Sequence, residues 1–291
     1  NAIHDTRQNI NNDVTGGGAN TFDKTVSVSD AITIAQGETL EALIVAGGNG
    51  NGTLTYSKVT DSAANIADDA ATAAGQAKAI TGKTVVINTA TSLDQLHTIK
   101  TRVDAANQGT GSVTHTAVTD TYANLTDTDD AKAGNSSVNI VEKTVVVTTG
   151  ARIAQLNSLK STVQNGDANV SFTHNAVTDL RANLLNEITG NQGTMLAGKT
   201  NLVEDSISIA NGESLETLVG NLQGNGTLAY NLVTDTAANI ADDAATAAGQ
   251  AKAITGKTVT ISGATTLARL ATIETRVGNG SVTYTAVDDT R

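Results

Sequence analysis

DSAANIADDAATAAGQAKAITGKTV, residues Asp61 to Val85, returns at Asp235 to Val259 with a single difference, Thr236 in the place of Ser62. Identity over so long a run marks a duplication, and the remaining chain falls into register around it. Complete repeats open at Lys24-Thr25, Lys83-Thr84, Lys143-Thr144 and Lys199-Thr200, and a partial one at Lys257-Thr258. Successive lysines lie 59, 60, 56 and 58 residues apart. The repeats therefore run 24–82, 83–142, 143–198 and 199–256, with partial repeats at 1–23 and 257–291. A higher order sits on top. DAITIAQGETLEAL from Asp30 pairs with DSISIANGESLETL from Asp205, and the second repeat pairs with the fifth.

Each repeat reads the same way. A β-branched run comes first, such as Thr84-Val85-Val86-Ile87. It is continuous rather than alternating, which predicts a strand buried on both faces. A helix follows, with Leu93, Leu96, Ile99 and Val103 on one stripe and Ser92 as N-cap. Ile153, Leu156, Leu159 and Val163 repeat the stripe, as do Leu267, Leu270, Ile273 and Val277. The first and fourth repeats keep only Leu40-Leu43 and Leu215-Leu218 clearly. Shorter helices, ending at Gly47-Gly48 and Gly220, are expected there.

After a Gly/Asn turn a second strand spans 53–59, 112–118, 170–177, 227–233 and 281–287. Leu54, Val113, Phe172, Leu228 and Val282 form one column in it, expected to be buried. Two residues on, Tyr56, His115, His174, Tyr230 and Tyr284 form another on the same face. The strand stops at aspartates 61, 120, 179 and 235, where an N-cap belongs. A short helix carries Asn65, Asn124, Asn183 and Asn239, read as a ladder of side chains bonding backbone groups. Ile80, Ile140, Leu196 and Ile254, each three residues before the next Lys, should be core.

Strands that alternate with helices pair in parallel through crossovers. The expectation is an α/β fold, a tandem-repeat solenoid of parallel strands and short helices, about 58 residues and two strand–helix turns per repeat. A string of separate βαβα domains is the alternative. Without disulfides, domains of that size would be marginal alone, so one continuous array over 1–291 is preferred.

Composition narrows the function. There is no Cys, Pro or Trp, and Phe22 and Phe172 are the only phenylalanines. Disulfides and thiolate metal sites are excluded, and the core must be built from Val, Ile, Leu and Ala. The net charge of −11 argues against nucleic acid, which needs a basic stripe. No apolar run reaches the ~18 residues of a membrane span. The opening at Asn1, with neither a methionine nor a signal peptide, points to a processed product or an excerpt.

No catalytic constellation stands out, and no enzyme activity is expected. His115 and His174 occupy the tyrosine column and read as stacked rings rather than zinc ligands. His97 falls on the outer side of its helix and reads as solvated, and His4 has no partner pattern. Acidic pairs occur at Asp68-Asp69, Asp242-Asp243, Asp129-Asp130 with Asp127, and Asp288-Asp289. They read as caps and solvated charge. Calcium between repeats stays open, although EF-hand and nonapeptide spacings are missing. The Gly47 and Gly224-Asn225-Gly226 runs precede strands and lack a following Lys-Ser/Thr, so they are turns and not phosphate loops.

The combination of Val-Thr-Asp-Thr-Ala-Ala-Asn-Ile with a Lys-Thr-Val strand and an Ala-Thr-x-Leu-x-x-Leu helix resembles tandem repeats of giant secreted proteins. These belong to cyanobacteria and other marine bacteria and are surface-layer-like or adhesin-like. The resemblance implies an extracellular or cell-surface location and a structural or adhesive role. Two functions are carried forward. One is a segment of a long rod or filament, as a stalk, surface layer or fibre. The other is an adhesin or phage-fibre-like module reading a surface glycan or partner cell through variable loops. The partner expected for the first is the chain itself, head to tail, or its own continuation. The phase of the repeat supports this, since Ala286-Val287-Asp288-Asp289-Thr290-Arg291 matches Ala2-Ile3-His4-Asp5-Thr6-Arg7.

Overall fold

A computed structural model describes residues 2–17, 20–47, 52–72, 80–104, 111–127, 139–246 and 254–289. The described residues form a mixed α/β protein of fifteen strands and ten helices. The strands make five three-stranded sheets, each in the order of the chain, and every pairing with a recorded register is parallel. The chain divides into two compact units. The first comprises Asn1–Val147 with Lys160–Thr173, and the second Thr148–Leu159 with His174–Arg291.

In the first unit, β1 (Ala2–Asp5), β2 (Thr25–Val28) and β3 (Thr53–Tyr56) form one sheet. β4 (Lys58–Asp61), β5 (Thr84–Ile87) and β6 (Ser112–His115) form the next. β7 (Ala117–Asp120) pairs with β8 (Thr144–Val147), and β9 spans Phe172–His174. In the second unit, β10 (Ala176–Asp179), β11 (Thr200–Val203) and β12 (Thr227–Tyr230) form one sheet, and β13 (Leu232–Thr236), β14 (Thr258–Thr265) and β15 (Ser281–Val287) another. Ser281–Val287 is the single strand its sequence predicts, but the second strand of the first, second and fourth repeats is not. It breaks at Ser57, Thr116 and Asn231, and its halves join different sheets.

The break has a pairing cause. Val28 pairs with Tyr56, but the next partner of that edge is Ile32, opposite Val59. Three residues on one strand face two on the other, a bulge that turns the chain. Thr91 with Val118 and Ile207 with Val233 repeat it. Val59 is consequently bridged by Ile32 on one side and Val85 on the other, and it is fully buried.

Burial alternates along the strands. Val26 and Val28 are buried while Thr25 is exposed, and Val85 and Ile87 are buried while Thr84 and Val86 are half-buried. The expectation of burial on both faces is therefore corrected. One face packs, and the other carries hydroxyls, with Thr25 and Thr53 hydrogen-bonded across the strands at 3.2 Å. Leu54, Val113, Phe172, Leu228 and Val282 are half-buried in every repeat, not core. The fully buried column is Val59, Val118, Val177 and Val233. Ile80, Ile140, Leu196 and Ile254 are core as expected, at 1 % exposure or less.

The helices Leu93–Asp104 and Ile153–Gln164 carry the predicted stripe, with Leu93, Leu96, Ile99 and Val103 buried. Ser92 caps the first, its Oγ accepting from Gln95 N–H while Gln95 Oε1 accepts from Ser92 N–H, a reciprocal box. The helices Ile34–Gly47 and Ile209–Gly220 are not shorter, contrary to expectation. Their stripe includes a glycine: Ile209, Gly212, Leu215 and Val219 are all buried. A tyrosine ring covers the gap. A Cβ on Gly37 would lie 3.2 Å from the Tyr56 hydroxyl.

Candidate functional site

The most regular polar feature is a column of buried aspartates. Asp120 Oδ1 accepts from the Thr121 N–H at 2.8 Å and from Asn124 Nδ2 at 2.8 Å, while Oδ2 accepts from the Leu93 N–H at 2.9 Å. Asp61 has the same three partners in Ser62, Asn65 and Ile34. In the second unit Asp179 takes Leu180, Asn183 and Ile153, and Asp235 takes Thr236, Asn239 and Ile209. All four are at least nine-tenths buried.

Two expectations are corrected here. The aspartate precedes the N-cap: Thr121 caps its helix, accepting from the Asn124 N–H, and Ser62 and Thr236 do likewise. The asparagines do not bridge backbone groups either. Each spends its amide on the carboxylate one turn earlier, holding it in place.

The second oxygen of each aspartate reaches the first N–H of an earlier helix. Other helices are served the same way by the loop after a strand. Arg7 N–H donates to Asp30, Ala63 N–H to Thr89 Oγ1, and Arg181 N–H to Asp205. In seven helices the first N–H is thus satisfied by a side chain 23 to 27 residues further on. An unsatisfied helix start carries partial positive charge, so a carboxylate is the favoured cap. Every such turn of chain is closed by the next one.

A second acidic position lies four residues after Asn9, Asn65, Asn183 and Asn239, while Thr128 stands there after Asn124. Asp13 accepts from Asn20 and Thr21, and Glu187 from Asn191, Thr194 and the Met195 N–H. The bonds from Thr21 and Asn20 hold the Asp13 carboxyl below its usual range. These carboxylates clasp their own following loops. Asp69 and Asp243 share the position, but their side chains, with that of Asp242, and the whole of Asp129-Asp130 lie outside the described residues. Asp68, Asp288 and Asp289 are exposed. Among the described residues no group of three His, Asp or Glu is placed to hold a metal ion.

Two positions of the ring column, one in each unit, hold ring–ammonium pairs. Lys83 Nζ lies 4.4 Å from the Tyr56 ring centre and donates to Tyr56 O, and Lys257 lies 4.2 Å from the Tyr230 ring and donates to Tyr230 O. Burial lowers both lysine pKa values and raises that of Tyr230. His115 and His174 are buried in the same position. Burial pushes His174 down to about 4, with Lys199 adding to the effect, so its imidazole is neutral at pH 7. His97 is half-buried, not solvated.

A cavity of about 290 Å³ in the second unit is lined by Asn157, Asp179, Asn183, Asn186, Glu187 and Asn191, with Ile153 and Ala154 at its side. No basic or aromatic side chain lines it. Asn183 and Asn191 turn their amide nitrogens to Asp179 and Glu187, which leaves their carbonyl oxygens for a hydroxyl-bearing ligand. Sequence reasoning missed this cavity, because it assigned Asn183 to a structural ladder and singled out neither Glu187 nor Asn191.

The molecule these features define is an α/β protein of parallel three-stranded sheets closed by side-chain caps. No family model, curated protein or solved structure matches the chain. No helix among the described residues is long and apolar enough to cross a membrane.

Proposed function

We propose that this chain is a stretch of a tandem-repeat α/β solenoid with a repeat of about 58 residues. Its role is that of an extracellular structural protein, a segment of a rod or filament at the cell surface. One observation carries the reading: the first N–H of seven helices is capped by a side chain in the following turn of chain. Such an arrangement needs a next turn for every turn, and it extends without closing on itself. Its natural partner is the same repeat, in the same chain or a second copy. The proposal assigns no catalytic role and no metal.

Small-angle scattering and electron microscopy of the purified 291-residue chain test this. An elongated particle with a cross-section of one repeat is expected, and a compact globule would overturn it. A second reading, a glycan-binding module, is favoured by the carboxamide-lined cavity at Asn183 and Asn191. Affinity for a soluble glycan that Asn183→Ala with Asn191→Ala abolishes would select it over a purely structural role.

A further inference from the structure

We propose that Lys100 and Asn139 form an intramolecular amide cross-link from Nζ to Cγ, with release of ammonia. Lys100 stands in the Leu93–Asp104 helix, and Asn139 lies just before buried Ile140, which leads into the Thr144–Val147 strand. Lys100 Nζ is 2.5 Å from Asn139 Oδ1. Asn139 is 1 % exposed, and its backbone carbonyl is 2.8 Å from His115 Nε2. The residue is therefore fixed at its backbone by His115, with an amine against its side-chain carbonyl. Fixed proximity of this kind replaces a bimolecular encounter and is worth several orders of magnitude in rate.

The chemistry of the amine agrees. Burial lowers the Lys100 pKa, opposed by the charge of Asp104 one turn along the helix. A desolvated lysine is the form that acts as nucleophile. Its hydrogen-bond partner is a neutral amide rather than a carboxylate, and among the described residues it forms no ion pair. Addition of neutral Nζ to Cγ makes the new C–N bond. The old Cγ–Nδ2 bond breaks, and the amine proton leaves on the departing nitrogen as ammonia. No oxidant or co-reactant is consumed.

The pair is particular to one repeat. The equivalent positions hold Glu41 and Ala79 in the first repeat, Lys160 and Met195 in the third, and Glu216 and Ala253 in the fourth. The link would close a loop of 39 residues in a chain that has no cysteine. Covalent closure of a loop stabilises chiefly by restricting the unfolded chain.

The test is the intact mass of the purified, folded chain under denaturing conditions. A mass lower by one ammonia is expected, together with a branched proteolytic peptide joining the Lys100 and Asn139 segments. Lys100→Arg keeps a cation beside the amide and should restore the full mass while circular dichroism stays unchanged. Asn139→Ala should restore it too. The full sequence mass in the wild type would overturn the proposal, leaving an ordinary hydrogen bond. A deficit that persists in Lys100→Arg would also overturn it, by assigning the lost ammonia to cyclisation at Asn139.

Discussion

A Cβ on Gly212 would stand 3.0 Å from the hydroxyl and ring of Tyr230, which lies under Lys257. The ring is 5 % exposed and has no room to retreat. The equivalent pairs are Gly37 with Tyr56, Leu96 with His115 and Leu156 with His174. In these four repeats a large ring goes with glycine and a smaller ring with leucine, while Tyr284, opposite Leu270 in the last partial repeat, is exposed. Gly212→Leu should therefore cost about 1–3 kcal/mol through overpacking, and Tyr230→His in that background should recover much of the loss. Urea denaturation of both single variants and the double gives the coupling. Additive losses would show that the two sites do not share one volume.

Asp120→Ala removes one acceptor from three donors: the N–H groups of Leu93 and Thr121, and the Asn124 amide. The cost should be about 1–3 kcal/mol or more, since two of the donors are backbone groups at helix starts. Asn124→Ala leaves Asp120 with both backbone donors and should cost less. Equal losses in thermal melts would mean that the asparagine, and not the aspartate, organises the site.

The alternation of strands and helices and the parallel pairing were legible in the sequence because apolar residues recur at fixed phase. Ile80, Ile140, Leu196 and Ile254 show that reading at its best. The bulge before Ile32 was not legible, since nothing in Ser29-Asp30-Ala31 distinguishes a bulge from a turn. The Asp–Asn clamp was half legible. The spacing from Asp120 to Asn124 recurs at Asp5 and Asn9, and it places the two side chains one helical turn apart. What hid the aspartate's second role is that Leu93 lies 27 residues away in sequence. Such a contact is set by the sheet register, which composition does not encode. The Ile34–Gly47 and Ile209–Gly220 helices end where expected, but their lengths were misjudged for a related reason: only Leu40-Leu43 and Leu215-Leu218 stood out, because Gly37 and Gly212 hold stripe positions that Tyr56 and Tyr230 cover.

Asn201 interrupts a column that is otherwise Val26, Val85, Val145 and Val259, all fully buried. Its amide nitrogen donates to the carbonyls of Leu196, Lys199 and Thr227, while its side-chain oxygen is buried without a hydrogen-bond partner. Two of those carbonyls already accept a backbone N–H, Leu196 from Lys199 and Lys199 from Thr227. Asn201→Val should thus leave few groups unbonded and relieve the stranded oxygen. Stabilisation of about 1 kcal/mol is expected, read as a higher urea midpoint with unchanged slope. A lower midpoint would show that the three donated bonds outweigh the buried oxygen.

His174 supplies the clearest dependence on pH. Burial among the strand residues holds its folded pKa at about 4, whereas an unfolded chain titrates near the ordinary value of about 6.5. Between those two values the unfolded state binds the extra proton and the folded state does not. Stability must then fall as pH drops from about 6.5 towards about 4, and its slope from this group vanishes outside that window. His115 is shifted in the same direction by its own burial and adds to the trend. Carboxylates held by hydrogen bonds, such as Asp13, lose stability only at lower pH, below the ordinary carboxylate range. The separation allows a test. His174→Asn lowers stability overall but should flatten the decline between pH 6.5 and 4, measured as urea midpoints across that range. An acid limb as steep in the variant as in the wild type would mean that His174 is protonated in the folded protein, and that its burial between the strands is less complete than its 4 % exposure indicates.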